Sequence, residues 1–202
     1  MPISGIPARY DGLRLARDAD ELGGSTHVTT DQRKNGARDA AIAHARALFL
    51  DDSHAHGCAE STLVALASAF GLPGAEDPSA AMALNGGIAY SGSTCGAITG
   101  AALALGRLAA TRVVDHAEAK RVARALTQAL MAAFDAEFGA TTCRALTGLD
   151  LSTEAGHQAF LEHGVWREAC RRQVEFVVAS LAPLADEAAW LERVRGVEAG
   201  GG

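Results

Sequence analysis

Hydrophobic positions recur at helical spacing along most of the chain, and short polar or glycine-containing breaks separate the runs. Over residues 35–50, Ala41, Ile42, Ala45, Leu48 and Phe49 fall on one helix face, and Asp51, Asp52 and Ser53 end it. Residues 59–70 put Leu63, Leu66, Ala67 and Phe70 on one stripe, stopped by Gly71 with Pro73 just beyond. Gly92, Gly96 and Gly100 recur every four residues. On a helix beginning near Thr94 the two inner glycines share a face where a second backbone can come close. Asp115 and Glu118 have the spacing of a capping box and open a run with Val122, Leu126, Ala129, Leu130, Ala133 and Phe134 on one face. Ser152 and His157 precede a further run, Trp166, Cys170, Val174, Val177 and Leu181, which Pro183 ends. A last helix is expected over residues 185–194. No stretch alternates as a strand does and no repeat recurs at a fixed period, so the pattern predicts an all-α fold: a single compact domain of about six helices. Residues 1–34, rich in Gly, Asp, Arg and Thr without a period, read as a mobile N-terminal arm, 35–196 as the helical domain and 197–202 as a Gly-rich tail.

Composition narrows the packing. The chain has 202 residues, 49% of them apolar and only 5% aromatic, with 44 alanines. A core of small side chains favours closely packed helices over a sandwich or barrel, and the same small residues predict a homodimer formed by close packing. Eighteen Lys and Arg against 24 Asp and Glu give a formal charge of −6, which removes the basic footprint that nucleic acid or an anionic membrane requires. Residues 78–106 are uncharged and long enough to span a bilayer, but Ser79, Asn85, Ser91, Ser93, Thr94 and six glycines interrupt them, and no span is expected. The first twenty residues hold charges and no apolar run, unlike a secretory signal. A cytoplasmic location with reduced thiols follows as the expectation.

The four cysteines carry the candidate chemistry. Cys58, Cys95, Cys143 and Cys170 are too far apart in sequence for any short Cys-x-x-Cys motif. Their places in the predicted elements say more. Cys58 follows Gly57 at one helix start, Cys95 follows Ser93 and Thr94 at another, and Cys143 follows Thr141 and Thr142 where a short helix can begin. Free N–H groups and the positive dipole end favour a thiolate there, the nucleophilic and metal-binding form. Cys170 lies mid-helix, one turn after Trp166 on the apolar stripe, and must point inward. Against this stands the plain alternative that cysteine is among the most buried residue types and serves as a small hydrophobe.

These residues resemble the C-GCAxxG-C-C family, whose members are described as redox-active. The resemblance lies in Cys58-Ala59-Glu60-Ser61, in Thr94-Cys95-Gly96-Ala97-Ile98-Thr99-Gly100-Ala101, in Cys143 before Arg144-Ala145-Leu146-Thr147-Gly148, in Cys170, and in the Gly86-Gly87 pair. The order Cys-Gly-Ala-x-x-Gly here departs from the Gly-Cys-Ala-x-x-Gly of the family name. The resemblance implies a redox protein. A similar module accompanies the haem domain of split-Soret cytochromes, where cysteines hold an iron–sulfur centre, and carried over residue by residue it makes Cys58, Cys95, Cys143 and Cys170 the ligands of a [2Fe–2S] or [4Fe–4S] cluster. No Cys-x-x-Cys-His occurs, so covalent haem is not implied.

The first expectation is therefore a cytoplasmic redox protein, an oxidoreductase if it is an enzyme, acting on a redox partner or a small-molecule substrate through such a cluster. The second is a metal-free thiol enzyme in which Cys58 or Cys95 attacks and another cysteine resolves the disulfide. The third is a helical binding module with core cysteines, and a structural zinc site is a fourth. The remaining candidates have bland readings beside them. His54 and His56 read as part of a polar loop or as a base beside Cys58. His44 reads as a core or interface histidine, and His157 and His163 as solvated. Glu60 suits the first turn of its helix and could act as an acid. Tyr90 lines or fills a pocket, and Arg171 and Arg172 form a solvated face or pair with an anion. Gly96 and Gly100 serve a helix crossing or the close approach of a cofactor.

Overall fold

In the computed structural model, residues 30–199 are described, and all their regular structure is helical. Eight α-helices follow in order: α1 (Thr30–Phe49), α2 (Cys58–Ala69), α3 (Gly96–Arg112), α4 (His116–Phe138), α5 (Cys143–Thr147), α6 (Glu154–Glu162), α7 (Arg171–Leu181) and α8 (Glu187–Ala199). Short 3-10 segments at Ser79–Leu84 and Ala182–Ala185 and a π-helical turn at Trp166–Cys170 complete the path. The expected all-α class holds. α1 begins at Thr30, inside the segment read as an arm, while the rest of that segment, residues 1–29, and residues 200–202 of the tail lie outside the described residues.

α2 is the hub, packed against α1, α3 and α7. Its residues from Ala59 to Ala67 are all buried, as a helix enclosed on every side must be. Small residues permit that enclosure. A Cβ on Gly100 would strike the backbone carbonyl of Ala59, and one on Gly96 would strike the Cys58 sulfur, so the α2–α3 crossing requires glycine at both places. The glycine spacing thus serves the helix crossing.

α4 is built differently. Val122, Leu126, Leu130 and Phe134 form its buried stripe, whereas Ala133 is exposed. Asp115 caps it by accepting from the Glu118 N–H at 2.8 Å. Only half of the expected capping box forms, because the Glu118 carboxylate turns to Arg121 instead. On α1, Ala41, Ala45 and Phe49 are buried.

The run expected from His157 to Leu181 is broken. His157 sits inside α6, Gly164 turns the chain at φ +64°, and the π-helical turn then leads into α7. The extra residue in that turn keeps Trp166, Cys170, Val174, Val177 and Leu181 all buried, which is why the apolar spacing looked continuous. Thr94 and Thr142 form an isolated antiparallel bridge. Around it Cys95 N–H donates to Thr141 O at 2.9 Å, Cys143 N–H to Ser93 O at 2.7 Å and Arg144 N–H to Gly92 O at 3.0 Å, so the starts of α3 and α5 are clipped together.

Candidate functional site

Each cysteine reaches the site from a separate element. Cys58 is the first residue of α2, Cys95 the N-cap of α3, Cys143 the first residue of α5 and Cys170 the last of the π-helical turn. All four are free thiols, with Cys95, Cys143 and Cys170 buried and Cys58 partly exposed. The elements bring them into one neighbourhood. The Cys58 sulfur occupies the space above Gly96, next to Cys95, and the backbone clip joins Cys95 to Cys143. Cys58, Cys143 and Cys170 line a single pocket of about 730 Å³. Cys170 is near enough to Cys58, Cys95 and Cys143 for ionisation of each to raise its own thiol, Cys58 most.

Burial governs their acidity. It pushes the Cys58 thiol up, against backbone N–H groups of Gly86, Ala59 and Gly96 that act to lower it. Cys95 is raised by burial and by the Cys58 charge, with Ala97 and Ile98 N–H groups opposing. Cys143 is pushed up to about 11 by burial and by Cys58, and Cys170 is raised by burial first and then by its three neighbours. The helix starts do aim N–H groups at two of the sulfurs, as their positions predicted. The expected thiolates are nonetheless corrected to neutral thiols at pH 7, because desolvation of a buried charge outweighs those dipoles.

Polar side chains hold the site in place. Asn85 Oδ1 accepts from Ala59 N–H at 2.9 Å and lies 3.8 Å from the Cys58 sulfur. Asn85 Nδ2 donates at 2.7 Å to Glu60, whose carboxylate also accepts from Gly57 N–H at 2.8 Å. Glu60 therefore fixes which end of the Asn85 amide faces Cys58. Buried Gln173 places Oε1 3.6 Å from the Cys95 sulfur. Sequence reasoning passed over Asn85 and Gln173 as site residues, since neither stands in a spacing that marks it.

Beyond Asn85 the chain takes five successive residues at positive φ: Gly86, Gly87, Ile88, Ala89 and Tyr90, at 62°, 73°, 63°, 51° and 60°. Glycine bears this freely, but each of the other three costs about 1–2 kcal/mol. Hydrogen bonds from Ala89 N–H to Ala83 O (2.8 Å), Gly92 N–H to Gly86 O (3.1 Å) and Ser93 N–H to Gly87 O (3.0 Å) impose it. The turn carries the Gly86 N–H to Cys58 and lifts Tyr90 to the pocket rim, edge-on to His157 at 4.9 Å. His157 is therefore half-buried against a ring, not solvated as expected. On the other side His54, itself at φ +52°, meets Trp166 edge-on at 4.9 Å.

The other candidates sort plainly. His56 lines the pocket beside His54, and His44 and His163 do not. Arg171 pairs with Glu175 at 2.9 Å, Arg46 joins the same carboxylate at 2.6 Å, and Arg172 is exposed; neither arginine of the pair lines the pocket. Among the described residues no group of three or more His, Cys, Asp or Glu is arranged to hold a metal ion, and no helix is long and apolar enough to cross a membrane.

Residues 56–184 match the protein family described as "Putative redox-active protein (C_GCAxxG_C_C)". No curated protein and no solved structure matches the chain. With all four cysteines inside the matched segment, the chain belongs to the C_GCAxxG_C_C redox-active family.

Proposed function

We propose that the four cysteines form one redox centre and that Cys58, Cys95, Cys143 and Cys170 hold an iron–sulfur cluster used for electron transfer or for reduction of a small molecule. The observation that carries the reading is that Cys58, Cys143 and Cys170, from three separate elements, line one pocket, with Cys95 beside the Cys58 sulfur and clipped to Cys143, in a family described as redox-active. The residues fit such a group in kind and number: four sulfur donors, all cysteine, all reduced. Among the described residues no group of three or more His, Cys, Asp or Glu is arranged to hold a metal ion, so the reading rests on that donor set and on the family's redox description; a structural zinc ion would draw on the same four cysteines, and metal analysis distinguishes the two. When bound, the cluster supplies one-electron chemistry.

The chain's own part is to bury and orient the sulfurs. N–H groups of Gly86, Ala59 and Gly96 point at Cys58, and those of Ala97 and Ile98 at Cys95, where they offset negative charge on sulfur. Asn85, held by Glu60, sets the direction of Cys58. Cys58, Cys143 and Cys170 line the pocket, and Cys58, the partly exposed one, provides the route to a partner.

Anaerobic reconstitution with iron and sulfide tests the reading. A brown protein with broad visible absorbance supports it, and a colourless protein containing neither element overturns it. A second reading, a metal-free dithiol centre, is favoured by the partial exposure of Cys58 beside the fully buried Cys95. There Cys58 gives up its proton to solvent and attacks a disulfide substrate as the thiolate, one substrate sulfur leaves and takes up a proton, and Cys95, deprotonated in turn, displaces the other to close a Cys58–Cys95 disulfide. Peptide mapping of a reversible bond between those two cysteines in iron-free protein supports it, and its absence after oxidation counts against it.

A further inference from the structure

The pocket above the cysteines gathers aromatic rings in a chain that has few. Two tryptophans, two tyrosines and six phenylalanines serve all 202 residues, yet Phe49, Tyr90, Phe160 and Trp166 all line this one pocket. Three of the seven histidines, His54, His56 and His157, line it too. Outside this pocket Phe134, Phe138 and Phe176 pack on one another and Trp190 is buried; here the rings instead line a cavity. Two of the rings are delivered by strained backbone, Tyr90 and His54 at positive φ on opposite rims, and strain of that kind persists where geometry serves a function. Tyr90 remains 43% exposed, which packing would not require.

The polar groups add direction. Glu60 is occupied by Gly57 and Asn85, and Glu162 accepts from Gln158 at 2.8 Å. The exposed Arg167 guanidinium lies over the Trp166 ring at 4.8 Å and makes no hydrogen bond or ion pair among the described residues. A pocket of about 730 Å³ is in the range that holds a small organic molecule. Its walls are π-faces and edges; the Glu60 and Glu162 carboxylates in its lining already accept from neutral amides, and Arg167 is the lining's planar cation, a donor suited to acceptor oxygens.

We infer that this pocket binds a planar conjugated ring bearing acceptor oxygens, quinonoid in class, with Tyr90 and Trp166 as its walls and Arg167 at its oxygens. The choice of a redox-active ring rests on the redox reading of the cysteines beneath it; the binding site itself rests on the pocket. Calorimetric titration of the full chain with anthraquinone-2-sulfonate tests it, a ring system without a position that adds readily to thiols. Saturable one-to-one binding is expected, weakened about tenfold by Tyr90→Ala and again by Arg167→Ala. Both side chains are exposed, so both variants should fold, and circular dichroism checks that they do. Adamantane-1-carboxylate, a saturated anion, should not bind. No binding of the quinone by the wild type, equal binding by both variants, or equal binding of the saturated anion overturns the inference. Iron measured in the same samples separates it from the cluster: iron-free protein that binds the quinone upholds the pocket, and iron-loaded protein that does not bind it refutes the pocket alone.

Discussion

The α4 side of the molecule and the cysteine side follow opposite rules. α4 has an N-cap, an unbroken apolar stripe and a phenylalanine cluster, with Phe134 and Phe138 centroids 4.6 Å apart and Phe176 at 5.3 Å from Phe138. The cysteine side has five consecutive residues at positive φ, of which Gly86 and Tyr90 line the pocket, together with a π-helical turn and a strained histidine. Local preference and tertiary packing agree in the first region and conflict in the second. Conflict of that kind is what a site held for chemistry tolerates at the expense of stability, in line with the proposed redox centre.

Substitutions should break the two regions differently. The largest effect belongs to Phe134→Ala, which empties a fully buried ring site on α4 and should cost about 3–5 kcal/mol in urea unfolding while sparing thiol reactivity. Gly100→Ala comes next, because its methyl meets the Ala59 carbonyl where α2 and α3 touch. A loss of about 1–3 kcal/mol is expected, and since Ala59 follows Cys58 the variant should also change cysteine labelling, which Phe134→Ala does not. Asp115→Ala removes the α4 cap and should cost about 1 kcal/mol. The smallest effect has the reverse sign: Ala89→Gly relieves a positive φ of 51° and should stabilise by about 0.5–1 kcal/mol, the strain released less the added chain entropy. A destabilised Ala89→Gly would show that the turn carries no strain.

Acidity sharpens the same contrast. Cys143 goes from 9.0 as a free thiol to about 11 when folded, and the other three thiols are raised in the same direction. A raised thiol pKa means the folded state holds its proton longer. That stability is present in full below about pH 9 and is lost as the pH climbs toward 11. Unfolding midpoints of metal-free protein should therefore fall across that window, and a flat profile would contradict the burial described.

The regular side was readable in advance. Spacing alone placed Val122, Leu126, Leu130 and Phe134 on the buried face of α4, and glycines four apart announced the α2–α3 crossing. The cysteines' positions at helix starts were readable too, since Gly57, Thr94 and Thr142 precede them. Their neutral state was not, because burial depends on which distant elements pack over each sulfur, and no local pattern records that. Ile88, Ala89 and Tyr90 gave no sign of positive φ, as such residues ordinarily avoid it and are forced there by hydrogen bonds to Ala83 and neighbours. Asn85 and Gln173 gain their roles only through contacts 26 and 78 residues away in sequence.

The claim that the four thiols act as one centre is tested most directly by iron and acid-labile sulfide per chain after anaerobic reconstitution, measured in the wild type beside Cys58→Ser, Cys95→Ser, Cys143→Ser and Cys170→Ser. The wild type should load, and each of the four variants should show a clear loss. A wild type without iron, or variants that all load as fully as the wild type, would contradict it.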